Sequence, residues 1–215
     1  MLIGVRKRFV FVANTKTAST SIDSVLCLHA EIMRAGSPER KHMKLGAIAA
    51  EYGFLFRNPK FNFDTFFKFG VMREPLSWIN SWYRYRRGNN VDSPLRADMT
   101  FEEFWHARDW NTQREGGKKY LQSNFFVDAE GKNLADVIIP YERMNDYIPE
   151  IFAALKVSGT LPRQNVSEVR ETPLHLSPEL RAEMLDFYAP DYEIYNQLDQ
   201  INAVGMEKLR EMTQK

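Results

Sequence analysis

The sequence predicts an α/β domain built on a central, mainly parallel sheet with helices on both faces. Phe9–Ala13, Phe66–Met72 and Val137–Ile139 are short apolar runs rich in β-branched or aromatic residues. Each ends in a polar turn or a proline and is followed by apolar residues at helical spacing. Strands apolar on both faces that alternate with helices belong to a parallel sheet covered on two sides.

The elements follow in order. Phe9-Val10-Phe11-Val12-Ala13 reads as a fully buried strand, and Asn14 to Ser19 as the turn after it. Ile22, Val25, Leu26 and then Ile32/Met33 fall on one face of the next helix. Phe66–Met72, broken only by Lys68, is the second strand and ends at Arg73-Glu74-Pro75. Pro75 suits the first turn of a helix whose face carries Leu76, Ile79 and Tyr83. Val137–Ile139 is closed by Pro140 and leads to a helix around Ile148 to Leu155. Ser177-Pro178-Glu179 supplies an N-cap, a first-turn proline and an early acid, opening a helix to about Tyr188. Stretches 57–65, 88–99 and 111–119 read as loops, with excursions near 88–120 expected over the mouth of a site.

The 215 residues, 44% apolar and 27% charged, are enough for one well-buried core and too few for two full domains. A single domain over 1–215 is expected, ending in a helical tail at 199–215. There is no internal repeat. The formal charge of +1 hides an asymmetry: residues 1–90 hold 15 bases and 6 acids, the rest 14 bases and 22 acids. The first half therefore suits an anion site. Cys27 is the only cysteine, which excludes an intrachain disulfide and a Cys-rich zinc site. No apolar run of about 18 residues exists, and the apolar stretch after Arg8 is too short for a secretory leader. A cytoplasmic protein with no membrane span is expected.

Two basic motifs sit at predicted strand ends. In Asn14-Thr15-Lys16-Thr17-Ala18-Ser19-Thr20-Ser21, a strand-to-helix turn aims backbone N–H groups and a helix dipole at one point. Thr17, Ser19, Thr20 and Ser21 add hydroxyls and Lys16 a charge, which is chemistry for phosphate or sulfate. It has neither the glycines of a Walker A loop nor a G-x-G-x-x-G. By itself such a turn more often serves as plain capping. In Arg73-Glu74-Pro75 through Ser81, an arginine at a strand's C-terminal end precedes a serine two helical turns on. Together Arg73 and Ser81 could grip a second phosphate, whereas alone Arg73 reads as a surface residue paired with Glu74. Two anion sites on two strand ends fit a ligand phosphorylated at both ends.

The pair, in this order and some fifty residues apart, resembles the sulfotransferases that use 3′-phosphoadenosine 5′-phosphosulfate (PAPS), most closely the carbohydrate sulfotransferase branch and its bacterial relatives. Lys41-His42-Met43-Lys44-Leu45, Gln122-Ser123-Asn124-Phe125-Phe126, Tyr141-Glu142-Arg143-Met144, Leu161-Pro162-Arg163-Gln164-Asn165-Val166-Ser167 and Tyr188-Ala189-Pro190-Asp191-Tyr192-Glu193-Ile194-Tyr195 share the family look, so the likeness spans about 8–198. It implies a P-loop-like three-layer α/β/α fold. It also implies that Lys16, Thr17, Ala18, Ser19, Thr20 and Ser21 hold the 5′-phosphosulfate and that Arg73 and Ser81 hold the 3′-phosphate. Asn165, Ser167 and Arg170 fall on a loop whose counterpart closes over the cofactor. The sequence departs from the family at Asn14, where proline is usual, and at Ala18-Ser19, where glycines or threonines are usual.

The resemblance implies sulfuryl transfer from PAPS to a hydroxyl, on a glycan or small saccharide, by in-line displacement that leaves 3′,5′-adenosine bisphosphate (PAP), with no metal and no nucleic-acid partner. Lys16 would stabilise the leaving phosphate. His42, flanked by Lys41 and Lys44 that would keep it neutral, would be the general base, with Glu39 or Glu51 as the alternative. Lys44, Arg84, Arg86, Arg87 and Glu142 are candidates for acceptor contacts, although Tyr83 to Arg87 equally reads as a solvated helix end. A nucleotide-binding module without catalysis and a P-loop kinase of small molecules are the competing functions.

Overall fold

The computed structural model describes residues 1–88, 94–108, 120–162 and 175–214. Its sheet has five strands in the order β3-β1-β2-β4-β5: β1 Leu2–Gly4, β2 Phe9–Val12, β3 Ile32–Met33, β4 Phe67–Met72 and β5 Val137–Pro140. The three apolar runs read from the sequence form its parallel centre, with Phe11 beside Phe69 and Phe69 beside Val137. Every residue of β2, β4 and β5 is buried, as required of strands covered on both faces.

Two short antiparallel strands flank that centre, and the sequence reading did not contain them. β1 pairs with β2 through a turn that puts Arg8 at φ 57°, and β3 pairs with β1. β3 corrects the reading of Ile32/Met33 as a helical face. The helix α1, Ser19–Leu26, buries Ile22, Val25 and Leu26 as expected but stops there. A tight turn over Cys27–His29 follows, and the Glu31 N–H reaches the Ile3 carbonyl. Two apolar residues fit either period, and an open sheet edge at β1 offered backbone hydrogen bonds that a longer helix could not match.

The remaining helices are α2 Pro38–Lys41, α3 Leu45–Glu51, α4 Gly53–Phe56, α5 Pro75–Gly88, α6 Phe101–Ala107, α7 Met144–Ala154, α8 Pro178–Phe187, α9 Ala189–Tyr195 and α10 Leu198–Thr213. Odd-numbered residues of β2 and β4 (Phe9, Phe11, Phe67, Phe69, Val71) pack against α1, α7 and α10. On the other face Val10, Val12 and Met72 meet α3, α4 and the turn at 123–126. α10 lies so close to the sheet that a Cβ on Gly205 would sit 1.8 Å from the Asp136 carbonyl, so only glycine fits there. A third apolar cluster, built on Trp78, Trp82, Phe104, Trp105 and Tyr188, joins α5, α6 and α8 beyond the strand ends.

Ser177 caps α8 by accepting from the Leu180 N–H, as the sequence predicts. The loop at 57–65 contains two short turns capped by Asn58 and Asn62. Of the expected excursions, 94–108 packs partly on α5 through α6, whereas 89–93 and 109–119 lie outside the described residues. Among the described residues no helix is long and apolar enough to cross a membrane.

Candidate active site

The parallel strands β2, β4 and β5 end side by side, so Asn14, Arg73 and Tyr141 leave the sheet at one edge. This is the edge where open α/β sheets place ligands.

The first turn is bent in an unusual way. Lys16 and Ala18 both have left-handed backbones, φ 58° and φ 54°, with Thr17 between them at negative φ. Alternating hands of this kind line up successive N–H groups as an anion-binding concavity. The first N–H bonds of the helix are those of Ser21 and Ile22 to the Ala18 carbonyl. α1 has no side-chain cap and no acid in its own first turn to answer the positive end of its dipole. Thr17 is buried and its hydroxyl donates to the Asn14 carbonyl at 3.0 Å, which ties the turn together. Ser19 and Ser21 are buried, and Thr20 is exposed with its hydroxyl accepting from Lys41 Nζ at 3.1 Å.

Lys16 crosses to α5. Its ammonium lies 3.6 Å from the centre of the Tyr85 ring and 5.7 Å from that of Trp82, a cation–π seat. Burial first, and then the positive charge of Arg73, lower its pKa to about 8. The two motifs are therefore close enough for their cations to feel each other.

Arg73 is only 7% exposed, which rules out the surface-residue alternative. Its Nε donates to Ser77 Oγ at 2.8 Å, and its guanidinium covers the Tyr141 ring at 4.5 Å. Ser81 is half-buried one turn beyond Ser77 along α5, on the same face. Glu74 does not stand idle beside Arg73. Its carboxylate caps α5 by accepting from the Ser77 N–H at 2.7 Å and also takes the Tyr192 hydroxyl.

His42 follows α2 and reaches the end of β2, with Nδ1 2.5 Å from the Ala13 carbonyl oxygen. A carbonyl only accepts, so Nδ1 carries the hydrogen and Nε2 of the neutral ring keeps its lone pair. Burial holds the pKa below the ordinary histidine value, and the Lys41 charge works in the same direction. Lys41 itself lies 3.5 Å from Asp23 on α1. Of the alternative bases, Glu39 is exposed on α2 and Glu51 is ion-paired with Arg34.

The acceptor candidates are scattered. Lys44 is half-buried at the N-cap of α3, Arg84 is half-buried on α5, and Arg86 is buried with its carbonyl accepting from the Leu95 N–H. Arg87 donates to the Tyr83 hydroxyl and the Ala97 carbonyl, which makes it a clamp on the chain after α5. Glu142 is exposed and accepts from the Tyr195 hydroxyl at 3.0 Å. Asn165, Ser167 and Arg170 lie outside the described residues.

Residues not singled out from the sequence hold the two motifs in place. Gln122 is fully buried: its Oε1 accepts from Asn14 Nδ2 and from the Arg73 N–H, both at 3.1 Å, and its Nε2 donates to the Arg73 carbonyl at 2.9 Å. Asp191 is buried and accepts from the N–H groups of Gln122 and Ser123; burial nevertheless raises its pKa to about 6. Trp78 donates from Nε1 to the Thr15 carbonyl and stacks on Tyr120, whose hydroxyl meets Thr15 Oγ1 at 3.3 Å. Both lie in segments that carry the family likeness, Gln122–Phe126 and Tyr188–Tyr195, but nothing in either segment marks the residue as a brace.

No curated protein and no solved structure matches the chain closely enough to compare. The model of the sulfotransferase family matches residues 2–196, nearly the whole chain, including both basic turns and the segments that brace them. The chain belongs to the sulfotransferase family.

Proposed function

We propose that this chain is a PAPS-dependent sulfotransferase acting on a hydroxyl acceptor, a saccharide or glycan. The observation that carries the reading is the pair of buried cationic turns on adjacent parallel strands, joined through one buried glutamine. Their chemistry fits the donor: an N–H concavity with hydroxyls and a lysine for one anionic end, a buried arginine for the other. The turn after β2 takes the part of a phosphate loop without its glycines.

PAPS, when bound, supplies a sulfuryl group already linked to a phosphate leaving group. The backbone N–H groups of Lys16 to Thr20 and the hydroxyls of Thr17, Ser19, Thr20 and Ser21 hold the 5′ end. Arg73 and Ser81 hold the 3′-phosphate, with Ser77 keeping the guanidinium aimed. Lys16 leaves its aromatic seat and neutralises the bridging oxygen, a preorganised charge worth about 3 kcal/mol of barrier. His42 takes the acceptor's hydroxyl proton on Nε2, because its Nδ1–H is held by Ala13. Tyr85, 38% exposed beside Lys16, offers a ring on which a sugar can stack. Transfer of labelled sulfuryl from PAPS to a panel of saccharides and simple alcohols tests this. Label should appear on a saccharide with wild type and fall at least a hundredfold with Lys16→Ala; undiminished turnover in that variant would refute the mechanism.

A further inference from the structure

We infer that Gln122, acting with Asn14, is the positioning residue that sets the spacing between the two anion turns and so selects a nucleotide carrying charge at both its 3′ and 5′ positions; this rests on the function proposed above. The argument starts from what the side-chain amide holds. Gln122 pairs with the N–H and the carbonyl of Arg73 together, as one strand residue pairs with another, so it fixes the backbone of Arg73 rather than its charge. The same Oε1 accepts from Asn14 Nδ2, and Asn14 Nδ2 also donates to the Val71 carbonyl at 3.1 Å. One amide therefore ties the turn after β2 to the turn after β4. The bonds also settle which end of each amide is nitrogen, since every partner of Asn14 Nδ2 is an oxygen.

Asn14 pays for this tie, because its Oδ1 is buried with no hydrogen-bond partner among the described residues. An orphaned buried acceptor lowers stability. The side chain is thus a poor choice for folding alone and a good one for a cross-link made by its nitrogen. On the far side Asp191 grips the N–H groups of Gln122 and Ser123, so the tie is anchored to α9 rather than to a loop.

The test is calorimetric binding of two ligands, 3′,5′-adenosine bisphosphate and adenosine 5′-phosphosulfate, which lacks the 3′-phosphate. Gln122→Met keeps the length and removes all three amide bonds. It should weaken bisphosphate binding by ~10–100-fold and 5′-phosphosulfate binding by less than ~3-fold, as expected when only the relative placement of two subsites is lost. Arg73→Ala should then cost much less in the Gln122→Met background than in wild type. Equal losses for both ligands, or an Arg73→Ala effect that is the same in both backgrounds, would overturn the positioning role and leave the functional reading intact. Wild type that binds neither ligand would overturn both. If Gln122→Met does not fold, Gln122→Asn, shorter by one methylene, should show the same ligand bias, and its absence there would count equally against the role.

Discussion

The state of Lys16 makes the sharpest prediction. Its ammonium is seated on the Tyr85 and Trp82 rings and held to a pKa of about 8 by burial and by Arg73. At pH 7 about nine in ten free molecules carry the charge, and at pH 9 about one in ten do. In the proposed mechanism only the charged form neutralises the leaving phosphate, so kcat/KM, which reports the free enzyme, should fall about tenfold per pH unit above pH 8. Lys16→Arg keeps a charge that does not titrate, which should lower activity through misfit but abolish this alkaline limb. Lys16→Met should cut kcat/KM by about a hundredfold or more, from the ~3 kcal/mol of one lost preorganised charge, with no limb either. The assay is the pH profile of initial rates from pH 6 to 10 for the three proteins. An alkaline limb that persists in Lys16→Arg would refute the assignment.

Other outcomes follow from the same geometry. Ala18 sits at φ 54° with no cap to make, so Ala18→Gly relieves ~1–2 kcal/mol of left-handed strain against ~0.5–1 kcal/mol of added chain entropy. Its Tm should rise by about 1–4 °C by thermal melt, and bisphosphate should bind no more weakly. His42→Asn should lower kcat by about 10²–10⁴-fold while bisphosphate affinity stays within about threefold, separating proton transfer from donor binding. For Asp191 the raised folded pKa gives a definite sign: its contribution is full below about pH 4 and is lost as pH rises through about 6. The stability gap between wild type and Asp191→Asn should therefore shrink by up to ~3 kcal/mol from pH 4 to pH 7 in denaturant titrations; a constant gap would contradict it.

The central strands and the helices after them were legible because burial on two faces forces an unbroken apolar run, as in Phe9–Val12 and Val137–Ile139. β1 and β3 were not, since three and two residues carry no usable period and gain their structure from each other's backbone. The charged and hydroxyl groups of the candidate site, as proposed, come from the two turns, whose order and company carry the family likeness. Their support could not be read from the sequence. Asn14 looked like a mere departure from a proline, yet its amide is the cross-link to Gln122. The bond from Arg73 to Ser77 is not legible either, because spacing alone does not say which hydroxyl an arginine's Nε reaches. Gln122 and Asp191 are polar groups whose partners lie 49 to 108 residues away, so no local pattern could pair them.

The most direct measurement is a calorimetric titration of 3′,5′-adenosine bisphosphate, beside ATP with magnesium, into wild type and Arg73→Ala. The account predicts tight bisphosphate binding that collapses in Arg73→Ala and no response to ATP. Preference for ATP, or bisphosphate binding indifferent to Arg73, would contradict it.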